Sequence, residues 1–425
     1  MGKVLIITYY WPPSGGSGVQ RWLKFTKYLP EFGWEPFIFT PENPSFEVKD
    51  ESLVNDISDE VEVIKLPIWE PYSVLDKFKK KGQSQQSDMV KKNGKGFMSK
   101  LMLWARGNLL IPDPRKFWVK PSVKVLGDIL ASNCIDTIIT TGPPHSMHLI
   151  GLKLKEKYGV KWLADFRDPW TQWDLFDNFY LSKWARNRHA ALERKVLQRA
   201  DRVISVSNHY AADLAKLGGR KVEVITNGFD ASEFEKHSHL QPEEFVIRHV
   251  GVVDELRDPR PLLKAVKELK SEGKGFRVEF IGNINQTLRS EIEEDAYLKE
   301  LVSIKSYIPH SEVLKVYRQS AVLLLILAHS QNAPGNIPGK LFEYLASQRP
   351  ILAIGATDGD SAQIIKETGA GVTCRAEDTE QIKKSLEDMY DQFLAGNVSH
   401  EGDVKAYSRK GLTEKLVGVL DNLSE

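Results

Sequence analysis

The chain has 425 residues, of which 41% are hydrophobic and 27% charged, and its formal net charge is +1. These values are typical of an ordinary globular protein with two or three domains, and they give no global attraction to nucleic acid. Cys134 and Cys374 are the only cysteines, which favours a reducing compartment and argues against a cysteine-based zinc site. Because neither a signal peptide nor an apolar run of about 20 residues occurs, we expect a cytoplasmic protein with at most peripheral membrane contact.

The chain opens with a pattern typical of a doubly wound α/β domain, because a strand, a loop, an amphipathic helix and a second strand follow one another. The loop contains Gly15, Gly16 and Gly18, which would permit close approach of a ligand at the carboxyl end of the first strand. The dinucleotide fingerprint is incomplete, because Gln20 and Arg21 stand where its third glycine belongs. A plain glycine turn is the alternative.

The stretch 67–120 is predicted to be an irregular basic insertion. It holds Lys79-Lys80-Lys81, a second basic cluster at 91–100 and an apolar run at 97–110. A basic loop that leads to a Trp-containing amphipathic stretch is suited to binding an anionic membrane surface. A solvated loop followed by a core helix is an equally good interpretation. Disorder is expected around 82–96.

Polar side chains follow two further predicted strands of the N-terminal half. The segment TGPPHS contains His145, and the segment ADFRDPW contains Asp165, Arg167 and Asp168. Because parallel strands end at one edge of the sheet, we expect these side chains where α/β domains bind ligands. A structural histidine and an internal salt bridge are the alternatives.

The alternation of strands and helices predicts two Rossmann-like doubly wound α/β domains that face each other across a cleft, with a ligand in that cleft. The N-terminal domain is predicted at 1–228 and a polar linker at 229–244. The C-terminal domain is predicted at 245–403. A final helix at 404–425 has the N-terminal domain as a candidate packing partner.

The stretch 321–350 predicts an anion site. A buried strand leads through a polar loop to a helix opened by Pro338, Gly339 and Lys340, so that the unpaired N–H groups, the helix dipole and the lysine point to one place. Glu343, one turn later, could accept hydrogen bonds from the hydroxyl pair of a sugar. A Walker loop is excluded, because the glycine spacing is one residue short and Leu341 follows the lysine. A helix start with a surface Lys–Glu pair is the alternative.

Taken together, these segments resemble a glycosyltransferase of the GT-B fold, and within that class the retaining, GT4-type (group 1) family. The resemblance covers nearly the whole chain. It is carried by the Gly15-Gly16 loop and by the segments TGPPHS, ADFRDPW, VITNGFD and IPGKLFEYLASQRPIL. It implies that a nucleoside-diphosphate sugar donor binds to the C-terminal domain, and that a glycan or polyprenyl-linked acceptor binds to the N-terminal one.

The resemblance also assigns roles to individual residues. The residues expected to take part in catalysis are His145, Arg257 and Lys340. Those expected to bind the donor are Gly15, Gly16, Pro338, Gly339, Leu341 and Glu343, and those expected on the acceptor side are Asp165, Arg167 and Asp168. No metal and no cofactor are expected, because cations and a helix dipole would stabilise the departing diphosphate. Asp358-Gly359-Asp360 is interpreted as a turn and a helix start rather than a metal motif.

The chain departs from the family pattern at two positions. Gly335 stands where the first Glu of the E-x7-E pattern belongs, and Val252 stands where an Arg is usual, although Arg257 occupies the place of the partner Lys and Arg260 is a reserve cation. We expect a hexosyltransferase for bacterial-type cell-surface polysaccharide. A nucleotide-sugar epimerase of the same fold and an inactive sugar-nucleotide-binding partner protein are the alternatives.

Overall fold

The computed structural model describes residues 1–46, 48–71, 96–234, 242–330, 332–400 and 402–423. It divides into two compact units, of which unit 1 comprises Met1–Thr226 with Arg409–Glu425 and unit 2 comprises Asn227–Ser408. Three of the predicted features lie wholly or partly outside the described residues. They are the lysine cluster at 79–81, residues 91–95 of the basic cluster at 91–100, and nearly all of the tract expected to be disordered.

Each unit is built on one parallel sheet. The strands of unit 1 are β1 (Gly2–Ile7), β2 (Trp34–Pro41), β3 (Glu62–Leu66), β4 (Thr137–Gly142), β5 (Lys161–Phe166), β6 (Arg202–Ser205) and β7 (Glu223–Val224). Those of unit 2 are β8 (Val246–Val250), β9 (Arg277–Ile281), β10 (Val302–Lys305), β11 (Val322–Ile326), β12 (Ile351–Ile354) and β13 (Gly371–Cys374). In the described chain, the strand orders are β3-β2-β1-β4-β5-β6-β7 and β10-β9-β8-β11-β12-β13. In each sheet the strand order reverses at the first strand of the unit. The loops after β1 and β4 in unit 1, and those after β8 and β11 in unit 2, therefore adjoin a topological switch point.

Helices cover the faces of both sheets. Their bounds are α1 (Ser17–Tyr28), α2 (Phe97–Leu109), α3 (Lys116–Ser132), α4 (Ser146–Tyr158), α5 (Lys183–Arg199), α6 (Asn208–Gly218), α7 (Arg260–Ser271), α8 (Gln286–Glu294), α9 (Ala296–Leu301), α10 (His310–Arg318), α11 (Gly339–Ser347), α12 (Asp360–Glu367), α13 (Thr379–Leu394) and α14 (Arg409–Asp421). The central strands are buried on both sides, as in β1, where Val4 to Ile7 are completely buried. This is expected for a parallel sheet covered by helices. None of the described helices meets the length and apolarity that a membrane span requires.

The prediction of an irregular stretch at 67–120 is wrong, because α2 and the first turn of α3 lie within it. Helix α3 begins at Lys116 and passes through Pro121, which removes one backbone hydrogen bond. Packing of the first turn compensates for this loss. The buried ring of Trp118 stacks on that of Phe39, with ring centroids 4.9 Å apart.

The last helix belongs to unit 1. In α14 the side chains of Leu412, Leu416 and Leu420 are buried, and their spacing of four residues places them on one face. Trp34 Nε1 donates a hydrogen bond of 3.0 Å to Asp421 Oδ1. The helix begins at Arg409, five residues later than the predicted boundary.

The residues predicted to form a linker belong in part to unit 2. Phe229 and Phe234 are buried in its core, with their ring centroids 6.1 Å apart. The division between the units falls between Thr226 and Asn227, because the chain begins to pack on unit 2 immediately after the last strand of unit 1. Residues 235–241 lie outside the described part.

Candidate functional site

In unit 2, the site is built on the start of α11. The helix is anchored in the core by Leu341, Tyr344 and Leu345, which are completely buried. Gly339 is exposed, and the N–H groups of Gly339 and Lys340 belong to the first turn, where they have no acceptor within the helix. The N–H of Leu341 is different, because it donates to the carbonyl oxygen of Pro338 at 3.0 Å. Leu341 therefore supports the site from the core and is not available to bind a donor.

Lys340 is held by the end of β8. Its Nζ donates to the carbonyl oxygen of Val250 at 2.8 Å, which leaves two further N–H donors on the ammonium group. Burial, together with the neighbouring charge of Arg257, lowers the pKa of Lys340 to about 8. Gly251 follows Val250 with a φ of 134°, and a Cβ there would lie 2.6 Å from Lys340 Nζ. Glycine is therefore required at this position, because it adopts this φ without strain and because its lack of a Cβ leaves space for the lysine side chain.

His249 lies beneath this cation in the core of unit 2. Its Nδ1 is 3.0 Å from the carbonyl oxygen of Leu324, and since a carbonyl only accepts, Nδ1 carries the proton. Burial and the charge of Lys340 lower the pKa of His249 to about 3. The imidazole is therefore neutral near pH 7 and adds no charge to the site.

Glu343 is oriented by a buried tyrosine that the sequence analysis did not identify. The hydroxyl of Tyr317 donates to Glu343 Oε2 at 3.0 Å. Burial and the neighbouring carboxylate raise the pKa of Tyr317 well above its usual value, so the hydroxyl keeps its proton and remains a donor. The ring of Tyr317 packs edge-on against that of Tyr344 at 4.9 Å, which fixes its position.

The two arginines after β8 have different surroundings. Arg257 is half-buried and pairs with Asp254 at 2.7 Å, and its charge acts on Lys340. Arg260 is exposed and pairs with Asp258 at 3.0 Å and with Glu291 at 2.7 Å. The structure therefore makes Arg257 the second cation beside Lys340 and makes Arg260 part of a surface ion-pair group.

The segment Asp358-Gly359-Asp360 is in contact with the loop that precedes α11. A Cβ on Gly359 would lie 2.9 Å from the carbonyl oxygen of Pro334, and Ser361 Oγ donates to the carbonyl oxygen of Asn336 at 3.0 Å. Gly335 is buried in this loop. Asp360 is the first residue of α12, as the interpretation of a helix start requires. Among the described residues, no group of three or more His, Cys, Asp or Glu side chains is arranged to hold a metal ion.

In unit 1, the first loop ends at an open helix N-terminus. The N–H of Gly15 donates to the carbonyl oxygen of Val48 at 2.9 Å, so that this amide is used within the protein. Gly16 has a φ of 89°, and a Cβ there would meet no atom within 4 Å. It precedes α1 without a side-chain cap. Of the two predicted glycines, Gly16 is therefore the one with room for a ligand.

Arg167 connects the first turn of α1 with the loop that follows β4. Its Nη1 donates to the carbonyl oxygen of Gly18 at 2.8 Å, and its Nη2 donates to that of Pro143. Gly18 must be small here, because a Cβ would lie 2.8 Å from Nη1. Arg167 thus holds the edge of the sheet together, whereas Asp168, the next residue, has an exposed side chain.

Asp165 does not have the predicted place on the acceptor side. It is completely buried, and its carboxylate accepts hydrogen bonds from Arg21 Nε at 3.2 Å, Trp22 Nε1 at 2.8 Å and Thr141 Oγ1 at 2.9 Å. Arg21 Nη2 makes a second contact at 3.1 Å. A buried ion pair with these additional donors is a structural element, so Asp165 cannot contact an acceptor directly.

His145 lies at the start of α4, where its ring stacks on that of Trp170 with centroids 4.8 Å apart. Burial lowers its pKa well below the usual value, and His148 and Arg167 lower it further. Its imidazole is therefore neutral, and it can exchange hydrogen bonds with a sugar hydroxyl. The N-terminus of α4 itself is occupied, because Asp113 accepts from Ser146 N and Ser146 Oγ, each at 2.8 Å.

Two family models match the chain. Residues 101–228 match the model described as a glycosyl transferase 4-like domain, and residues 244–392 match the model described as glycosyl transferases group 1. The chain belongs to the group 1 glycosyltransferases. This finding confirms the predicted group 1 family and the predicted glycosyltransferase class.

The glycosyltransferase also resembles solved structures over almost its whole length. Sucrose-phosphate synthase from Thermosynechococcus elongatus is 14% identical with a TM-score of 0.64, and the match covers 100% of this chain and 99% of that one. Anabaena Alr3699/HepE in complex with UDP is 12% identical with a TM-score of 0.57, over 99% and 100% of the two chains. A putative UDP-N-acetylglucosamine 2-epimerase from Listeria monocytogenes is 12% identical with a TM-score of 0.55, over 98% and 95%. These likenesses confirm the predicted GT-B fold of two Rossmann-like α/β domains. No curated protein sequence matches the chain.

Proposed function

We propose that this glycosyltransferase transfers a hexose from a nucleoside-diphosphate sugar to a glycan or polyprenyl-linked acceptor, with retention of the anomeric configuration. Its place would be in cell-surface polysaccharide biosynthesis, in the cytoplasm at the inner face of the membrane. Unit 2 would bind the donor and unit 1 the acceptor. The relative complexed with UDP supports a uridine nucleotide as the first donor to test.

The observation that carries the proposal is the cation at the start of α11. Departure of the sugar builds negative charge on the nucleoside diphosphate, and groups that bind this charge more strongly in the transition state accelerate the reaction. Lys340, with Arg257 nearby and two N–H groups of the helix, offers these contacts without a metal ion. Glu343, oriented by Tyr317, would accept the ribose hydroxyls.

On unit 1, the neutral imidazole of His145 would contact a hydroxyl of the transferred sugar. Gly16 would let the first loop approach the donor phosphate, and the exposed carboxylate of Asp168 would bind acceptor hydroxyls. In a retaining transfer of this type, the acceptor attacks from the side of the leaving group and gives its proton to the departing phosphate. No protein base is therefore assigned.

The test uses the purified chain with a panel of UDP-, GDP-, ADP- and dTDP-sugars, with and without a lipid-linked acceptor extract. Slow hydrolysis or transfer that releases the nucleoside diphosphate supports the proposal. Isomerised sugar nucleotide without release would indicate the epimerase instead, and tight binding without turnover would indicate an inactive binding protein. Either of these outcomes overturns the proposed function.

A further inference from the structure

Helix α2 of unit 1 exposes a large apolar surface in the part of the chain that the structure describes. The helix is buried through Leu103 and Gly107 on the opposite side, and through Asn108 near its C-terminal end. A helix of a globular domain normally turns its apolar side chains toward the core. The side chains that α2 exposes, with their exposed fractions, are Phe97 (83%), Met98 (65%), Leu101 (46%), Trp104 (40%) and Leu109 (58%). These five residues are called the α2 surface.

The α2 surface has basic residues at both borders. At about 100° per residue, its members span about 140° of the helix circumference. Lys100 borders this arc on one side and Arg106 on the other, and the helix sequence FMSKLMLWARGNL contains no acidic residue. An apolar arc with Trp and Phe, bordered by cations, is the pattern of helices that lie in the interface of an anionic bilayer.

The apolar surface continues beyond the end of the helix. Lys116 Nζ donates to the carbonyl oxygen of Leu109 at 2.6 Å and lies 5.2 Å from the ring centroid of Phe117. The ring of Phe117 packs against that of Trp69 at 5.0 Å. The side chains of Phe117 and Trp69 are 42% and 55% exposed. Phe117 and Lys116 at the start of α3, together with Trp69 after β3, therefore add two aromatic side chains and a further cation near the C-terminal end of α2.

We propose that the α2 surface docks unit 1 on an anionic lipid bilayer, with its apolar side chains at the boundary between headgroups and acyl chains. A second copy of the chain fits less well, because a symmetric contact would bring the cations at the borders of the helix toward each other. The inference deepens the proposed function, because a lipid-linked acceptor is anchored in such a bilayer. It rests on the proposed function only for the biological role of the docking.

The experiment is flotation of the full chain with vesicles of phosphatidylcholine, with or without about 30% phosphatidylglycerol. The phosphatidylglycerol supplies the negative surface potential that attracts basic side chains. We expect binding to the anionic vesicles that weakens at high salt. The double variant Leu101→Ser with Trp104→Ser should reduce the partition coefficient by about tenfold or more. Lys100→Gln should reduce it by about fivefold. Tyr307→Ser, which removes an aromatic ring that is 82% exposed on unit 2, should leave it unchanged.

Absence of binding to anionic vesicles would overturn the proposal, and so would equal binding of the wild type and the double variant. A dimer that the double variant abolishes, without vesicle binding, would show that a second copy covers the surface. Titration of UDP in the absence of vesicles separates this inference from the proposed function. The double variant should bind UDP as the wild type does. If the wild type bound neither UDP nor any other nucleotide of the donor panel, only the proposed function would be overturned.

Discussion

The ammonium nitrogen of Lys340 lies 2.8 Å from the carbonyl oxygen of Val250, where β8 ends. The cation is therefore positioned by two elements, because α11 carries the side chain and β8 holds its end. Gly251 leaves the space that this contact needs. Donor binding should therefore depend on both elements and on the residues that support them.

Gly251→Ala is expected to displace Lys340. The new Cβ would lie 2.6 Å from Nζ, and the φ of 134° adds strain of about 1–3 kcal/mol. We expect weaker UDP binding and a lower Tm for unit 2, measured by calorimetry. Gly273→Ala is the matched control, since it also has a positive φ but no atom within 4 Å of its Cβ. Equal effects of the two variants on UDP affinity would contradict the contact.

Donor affinity should depend on pH through Lys340, whose pKa is about 8. The protonated form binds the diphosphate, so the affinity should be close to its maximum at pH 7 and fall about tenfold by pH 9. Lys340→Arg keeps its charge over this range and should show a much flatter profile. Isothermal titration with UDP measures both. Identical profiles for the wild type and Lys340→Arg would show that Lys340 is not the titrating group.

Tyr317→Phe should weaken donor binding through Glu343. The variant removes the 3.0 Å hydrogen bond to Oε2, which is expected to raise the donor KM about two- to tenfold with a smaller change in kcat. Tyr390→Phe serves as the control, because its ring packs on Phe245 and Phe276 in the core of unit 2. An equal or larger KM effect for Tyr390→Phe would argue against the positioning role.

Asp165→Asn should destabilise unit 1. The change leaves the guanidinium of Arg21 buried without its counter-ion, at a cost of about 3–5 kcal/mol. Denaturant unfolding measures this loss. Asp128→Asn, at an exposed position of α3 in the same unit, should cost less than about 0.5 kcal/mol. Similar stabilities of the two variants would contradict the structural role assigned to Asp165.

Glu193→Gln should stabilise unit 1 at high pH only. Burial raises the pKa of Glu193 to about 7, while its carboxyl accepts from Thr171 N at 3.2 Å. Because the folded state holds this proton more tightly than the unfolded state, the contribution of Glu193 is full below about pH 4.5 and is lost as the pH rises through 7. We expect equal Tm values at about pH 4 and a higher Tm for the variant at pH 8. A variant that melts lower at pH 8 would contradict this assignment.

The fold was predictable from the sequence because its central strands are short and mostly apolar. The alternation of such strands with helices predicted the two doubly wound domains, and β1 and β11 were located directly. At 97–110 a membrane-binding stretch and a core helix were equally good interpretations, because the apolar residues of α2 do not form a simple inward stripe. The start of α3 was predicted too late, because Pro121 resembles a helix start. The stacking of Trp118 on Phe39 joins positions far apart in the chain, and no local pattern reveals it.

The site was predictable only where one segment contains it. Pro338, Gly339 and Lys340 are consecutive, so the start of α11 could be located from the sequence. Tyr317, which orients Glu343, is on another helix, and Gly251 differs from an ordinary strand-end glycine only through its contact with Lys340. The placement of Asp165 went wrong for the same reason, because its partner Arg21 is 144 residues away.

The most direct test of the proposed function is the variant Lys340→Ala, assayed for nucleotide-sugar turnover and for UDP affinity. The control is Lys299→Ala, which changes an exposed lysine of unit 2. Loss of a contact to the developing charge should lower turnover by about 10²–10³ and weaken UDP binding, while Lys299→Ala stays at the level of the wild type. If the Lys340→Ala variant kept the turnover and the UDP affinity of the wild type, this result would contradict the proposal that Lys340 stabilises the departing diphosphate.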